Sequence, residues 1–75
     1  MPKLRRASGK QTIRALERPG FEQVRTKGSH VILKKTTSAE TRGCVVPLHR
    51  ELAVGTLQGI LKQAKISPEE FMKNL

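Results

Sequence analysis

FEQVRTKGSHVILKK, residues 21–35, holds two strand-like runs, FEQVRT and SHVILKK, separated by Lys27-Gly28. A two-residue loop ending in glycine suits a tight hairpin, because the turns that match strand twist need a positive φ. Pairing Thr26 with Ser29 across that loop sets Arg25 opposite His30 and Val24 opposite Val31. Strand alternation then gives His30, Ile32 and Lys34 one face, and Val31 and Leu33 the other. Both faces carry apolar residues, so alternation does not say which of them meets the core.

On the N-terminal side, SGKQTIRALERPG (8–20) reads as a short helix. Ser8 is its N-cap, and Pro19-Gly20 stops it because proline disfavours a helical Arg18. Ile13 and Leu16 mark the buried side, while Lys10, Arg14 and Arg18 fall at i, i+4 and i+8 as one basic stripe with only Glu17 nearby. Before it, MPKLRRA (1–7) reads as a basic tail, mobile until something anionic orders it. On the C-terminal side, KTTSAETRG is polar and turn-like, and CVVPL is a third strand that Pro47 ends or bulges.

VGTLQGILKQAK forms a second helix with Leu57, Ile60, Leu61 and Ala64 at i, i+3, i+4 and i+7. Gly59 within it weakens the helix by about 1 kcal/mol against alanine, which suggests a closely packed position. SPEEFMKNL opens a last short helix with Ser67 as N-cap, Pro68 at N1 and Glu70 completing a capping box. Phe71, Met72 and Leu75 are expected to close the core. The order is helix, three antiparallel strands, helix, short helix. This is one α+β domain over residues 1–75, with its helices on one sheet face.

Charge bounds the function. Fifteen Lys and Arg stand against six acids, a net charge of +9 and a pI near 10.7. Such an excess attracts polyanions, so nucleic acid is the first partner to consider and an anionic membrane surface the weaker one. No run is apolar enough to span a membrane, and nothing at the N-terminus reads as a signal peptide. A single cysteine, Cys44, cannot form an internal disulfide; together these features read as a cytoplasmic, reduced protein.

Few kinds of chemistry fit the remaining residues. His30 and His49 come with one cysteine and no aspartate, too few ligands for a metal, so no metal or cofactor is expected. Nucleophilic triads, glycine-rich phosphate loops and paired carboxylates are all lacking. RNA cleavage by its own 2′-hydroxyl needs only a base, an acid and cations that steady the phosphorane. Histidine, with a pKa of ~6.5, can serve either proton role. Arg25, Lys27, Lys34 and Lys35 are available to hold the phosphate, with Lys10 and Arg14 on the helix stripe. On residue type alone, a histidine such as His30 beside a turn is more often structural than catalytic, and Ser29 is more often a turn residue than a nucleophile. His49 reads as a second proton-transfer group or a loop cap.

Three blocks carry a resemblance: GF followed by VR and GSH (20–30), VPLH (46–49), and GTL followed by ILKQA (55–64). In this order and spacing, from Ser8 to Phe71, the chain resembles the HicA family of bacterial and archaeal toxins. The resemblance implies a double-stranded-RNA-binding-domain-like α-β-β-β-α fold. It also implies a metal-independent mRNA interferase and a HicB antitoxin as partner. The family's catalytic histidine falls on His30, with Gly28 and Ser29 completing the motif, and His49 falls on a second recurrent position. The chain departs from the pattern at Pro19, at Lys65, where a helix end favours glycine, and in a longer loop over residues 35–42.

Two other readings compete. A non-catalytic double-stranded-RNA-binding module shares the topology and charge, but clamps phosphates with lysines at the start of its last long helix. Here that start is ELAVGTLQG, with no lysine. A structural protein of a ribonucleoprotein particle explains the charge but not the GSH placement.

Overall fold

Ser8 starts the first helix with a reciprocal pair of hydrogen bonds. The Gln11 backbone N–H donates to Ser8 Oγ at 3.0 Å, and the Ser8 N–H donates to Gln11 Oε1 at 2.9 Å. This capping box opens helix α1, Gly9–Glu17, which buries Thr12, Ile13, Ala15 and Leu16 and ends where Pro19-Gly20 was expected to stop it. The computed structural model describes residues 4–75. Of the tail expected over residues 1–7, the first three lie outside the described residues. Leu4 packs against the core, and Ala7 is buried and accepts a 2.7 Å bond from the Leu52 N–H. Burial of these two apolar residues docks the segment and leaves Arg5 and Arg6 exposed between them.

Three strands follow: β1 (Glu22–Lys27), β2 (His30–Thr36) and β3 (Thr41–Pro47), antiparallel in the order β1-β2-β3. The hairpin register differs from the expected one. Lys27 pairs with His30, Thr26 with Val31 and Arg25 with Ile32, so the loop is Gly28-Ser29 and Lys27, not Arg25, faces His30. The cause lies in the turn: Gly28 has φ +61, the requirement for the first central residue of a type II′ hairpin. A bulge between Gln23 and Arg25 absorbs the extra residue and leaves Val24 exposed, opposite neither Val31 nor any other partner. β3 begins earlier than CVVPL, because Thr41 to Gly43 already pair with β2. Only residues 37–40 form the turn, closed by Thr37 Oγ1 donating to Glu40 O at 2.9 Å.

The register decides the faces. Val31, Leu33, Cys44 and Val46 point toward the helices and are buried. His30, Ile32, Lys34 and Val45 lie on the open face. Helix α2, Val54–Ala64, buries Leu57, Ile60, Leu61 and Ala64, the four residues its periodicity marks, and packs on β3. Lys65 ends it in the left-handed conformation, φ 56, and the Ile66 N–H reaches back to Leu61 O at 3.0 Å in a Schellman arrangement. Lys65 Nζ also bonds Glu40 in the β2–β3 turn and holds that carboxyl below its usual range. Helix α3, Pro68–Asn74, buries Phe71 at the core, but Leu75 is 43% exposed. Ser67 Oγ accepts from the Glu70 N–H at 3.1 Å, and Glu70 does not return the bond, so its cap is half of the expected box. The helices form one layer on one sheet face, an α+β architecture with the double-stranded-RNA-binding-domain order and a short extra helix.

Gly59 is not closely packed. A Cβ built there meets nothing within 4 Å, and the residue is exposed. Gly59→Ala should therefore stabilise the domain by about 1 kcal/mol, since alanine restricts the unfolded chain without cost in the helix. Denaturant unfolding checks this; a midpoint that falls would show that glycine is needed at that position.

Candidate RNA-cleavage site

Two backbone hydrogen bonds join three segments at one end of the sheet. The Leu48 N–H donates to Ser29 O at 2.7 Å, and the Gly9 N–H donates to His49 O at 2.8 Å. The first ties the β3 exit to the hairpin turn, and the second ties the start of α1 to the same exit. Gly28, Ser29 and His30 thereby lie beside Pro47, Leu48 and His49, with Lys10 one residue into the helix. Pro47 is the cross-strand partner of His30 in β3, as Lys27 is in β1.

His30 is exposed on the open sheet face. Its side chain takes part in no hydrogen bond or ion pair among the described residues. Lys27 stands directly across from it, with paired Cα atoms about 4.5–5.5 Å apart. Arg25 is the diagonal neighbour on the same face, at about 7–8 Å. His49, also exposed, has its backbone held by α1.

The remaining predicted residues separate from this group. Lys34 shares the face of His30 but sits four residues along β2, roughly 13 Å away. Lys35 points to the helix side, paired with Arg42, and its stem lies across Gly20, 3.3 Å from where a Cβ would stand. Arg14 is one turn beyond Lys10. The two line a groove between α1 and the sheet that also holds Gln23, Thr26 and Leu48. The basic stripe thus divides: Lys10 faces this groove, Arg14 borders it and a second one, and Arg18 lies in the second.

Gly9 escaped the sequence reading altogether. A Cβ there would stand 2.1 Å from Pro47 O, so only glycine lets α1 approach the β3 exit. A glycine at the first position of a helix looks like an ordinary weak start, and no local signal distinguishes it from Gly55, which has open space.

Among the described residues no group of three or more His, Cys, Asp or Glu could hold a metal ion. Cys44 is buried against the helices, and burial pushes its thiol up to about 11, so it stays protonated and is no nucleophile at neutral pH. Among the described residues no helix is long and apolar enough to cross a membrane.

A family model described as HicA toxin of bacterial toxin-antitoxin matches residues 9–66. The search of curated proteins returns no match. The match begins at Gly9, runs through the hairpin and the β3 exit, and ends at Ile66 after α2, so it takes in all three segments that meet at His30. The chain belongs to the HicA toxin family and is a toxin of a bacterial toxin–antitoxin system.

Proposed function

We propose that this toxin is a metal-independent endoribonuclease, an mRNA interferase that stops translation in the cytoplasm by cutting mRNA with His30. The observation that carries the reading is the His30–Lys27 pair at the hairpin end: an unbonded, exposed imidazole with a lysine directly across the strand. Lys27 and Arg25, on the same sheet face as His30, hold the scissile phosphate, and the Gly28-Ser29 turn leaves room for its approach. Lys10 binds the RNA from the groove between α1 and the sheet. Arg14 continues the contact along the RNA. Lys34, four residues along β2, and Lys35, on the helix side, act on neighbouring phosphates.

His30 takes the proton of the ribose 2′-hydroxyl as that oxygen attacks phosphorus. The bond from phosphorus to the 5′-oxygen breaks, and the leaving oxygen receives a proton from the imidazolium through water or from His49. Lys27 and Arg25 stabilise the charge that builds on the phosphorane. The products are a 2′,3′-cyclic phosphate and a 5′-hydroxyl. The cognate partner is a HicB-like antitoxin that covers the His30 surface. An acidic antitoxin suits a chain of net charge +9 and would associate rapidly. A purely RNA-binding module is less favoured, because α2 opens on Ala53, Val54 and Gly55 with no basic residue to clamp phosphate.

Incubating the purified protein with single-stranded RNA in excess chelator tests this. Cyclic-phosphate fragments should form at an undiminished rate and cease when the antitoxin is added. Fragments ending in 3′-hydroxyls, or loss of cleavage on chelation, would mean another chemistry.

A further inference from the structure

Arg5, Arg6, Arg14 and Arg18 line one groove of about 390 Å³ between the N-terminal segment, α1 and the end of α3. They are four of the chain's seven arginines, the others being Arg25, Arg42 and Arg50. Gln11 and Asn74 add polar groups to its wall. Among the described residues, Arg5, Arg14 and Arg18 pair with no carboxylate, and Arg6 has only an exposed contact to Glu51 at 3.7 Å. Four like charges converging on a concave surface repel one another and disfavour the folded state. Docking of Ala7 and Leu4 holds Arg5 and Arg6 there regardless.

We infer that this groove is a second RNA-binding subsite, taking the phosphates of the strand that leads away from His30. Guanidinium groups suit it, since their donor forks match phosphate oxygens two at a time. Continuity favours a strand of RNA over an acidic protein segment. Arg14 borders both this groove and the one holding Lys10 and Leu48 beside the β3 exit, so cations run along α1 from Lys10 to Arg18. Lys10 to Arg18 spans eight residues, roughly 12 Å of helix. At about 3.4 Å of rise per nucleotide in a stacked strand, that covers about three phosphates. The inference rests on the RNA reading of the His30 site but assigns binding, not cleavage, to the groove.

The test uses a 2′-O-methyl RNA of about twelve nucleotides, which has no attacking hydroxyl, and follows its affinity across salt concentrations. Arg5→Gln with Arg18→Gln should flatten the slope of log affinity against log salt by about 1.4, at about 0.7 per lost phosphate contact. Lys62→Gln with Lys73→Gln removes the same charge outside the groove and should leave the slope nearly unchanged. Equal flattening by both pairs would reduce the effect to net charge and overturn the subsite. So would an unchanged slope in the arginine variant, even if it then bound poly-glutamate more weakly, which would assign the groove to an acidic protein. Cleavage assays report separately: a protein that binds through the groove but never cuts RNA would refute the interferase reading and leave the subsite standing.

Discussion

His30→Ala should slow RNA cleavage by roughly 10²- to 10⁴-fold, the usual worth of a positioned proton-transfer group, while fold and RNA affinity survive. The separation of effects follows from the surroundings of His30. The side chain is exposed, lies on the sheet face away from the core, and makes no hydrogen bond among the described residues. Exposed substitutions of this kind usually change stability by less than about 0.5 kcal/mol. A structural histidine beside a turn would be buried or bonded, and truncating it would lower stability together with activity. Circular dichroism melts, binding of a 2′-O-methyl RNA and cleavage rates on the same preparation distinguish the two. A variant that cuts at the parent rate, or one that loses activity only because it melts early, would end the catalytic assignment.

Local chemistry explains which parts of the molecule could be read in advance. The capped start of α1, its stop at Pro19-Gly20, the four buried residues of α2 and the left-handed Lys65 each depend on a few consecutive residues. The hairpin itself was legible from its glycine, but its register was not. Moving the two loop residues by one position, from Lys27-Gly28 to Gly28-Ser29, still places a glycine in the turn, and both arrangements satisfy the alternation of apolar residues. What separates them is the φ of Gly28 and the bulge at Val24, which appear only in the pairing of β1 with β2. The consequence for the site is specific: the cation facing His30 is Lys27, and Arg25 becomes its diagonal neighbour. The cluster of basic residues was visible as composition, but not its division among the hairpin end, the far end of β2 and two grooves. That division depends on which sheet face meets the helices, a choice made by burying Val31, Leu33, Cys44 and Val46 together.

Gly9→Ala should be among the most damaging single substitutions in the chain, although it only adds a methyl group. The new Cβ would stand 2.1 Å from Pro47 O and 2.9 Å from Leu48 Cα, both backbone atoms that no rotamer change can move. Either α1 or the β3 exit must shift. Overpacking of this kind costs typically 1–3 kcal/mol and occasionally more. The shift would also stretch the 2.8 Å bond from the Gly9 N–H to His49 O, worth about 1 kcal/mol. A loss of about 3 kcal/mol is a large share of the roughly 5–15 kcal/mol that holds a typical domain, and should lower Tm by about 12–24 °C in a domain this small. Gly55→Ala, where a Cβ meets nothing within 4 Å, supplies the control and should melt at or above the parent, as Gly59→Ala should. Functional damage should follow the same joint, since Gly9 holds Lys10 and His49 against the hairpin that carries His30. At a temperature where the variant remains folded, cleavage should fall further than for the Gly55 control. A Gly9→Ala protein that melts and cuts like the parent would show that α1 need not touch the β3 exit. The three-segment assembly of the site would then be wrong.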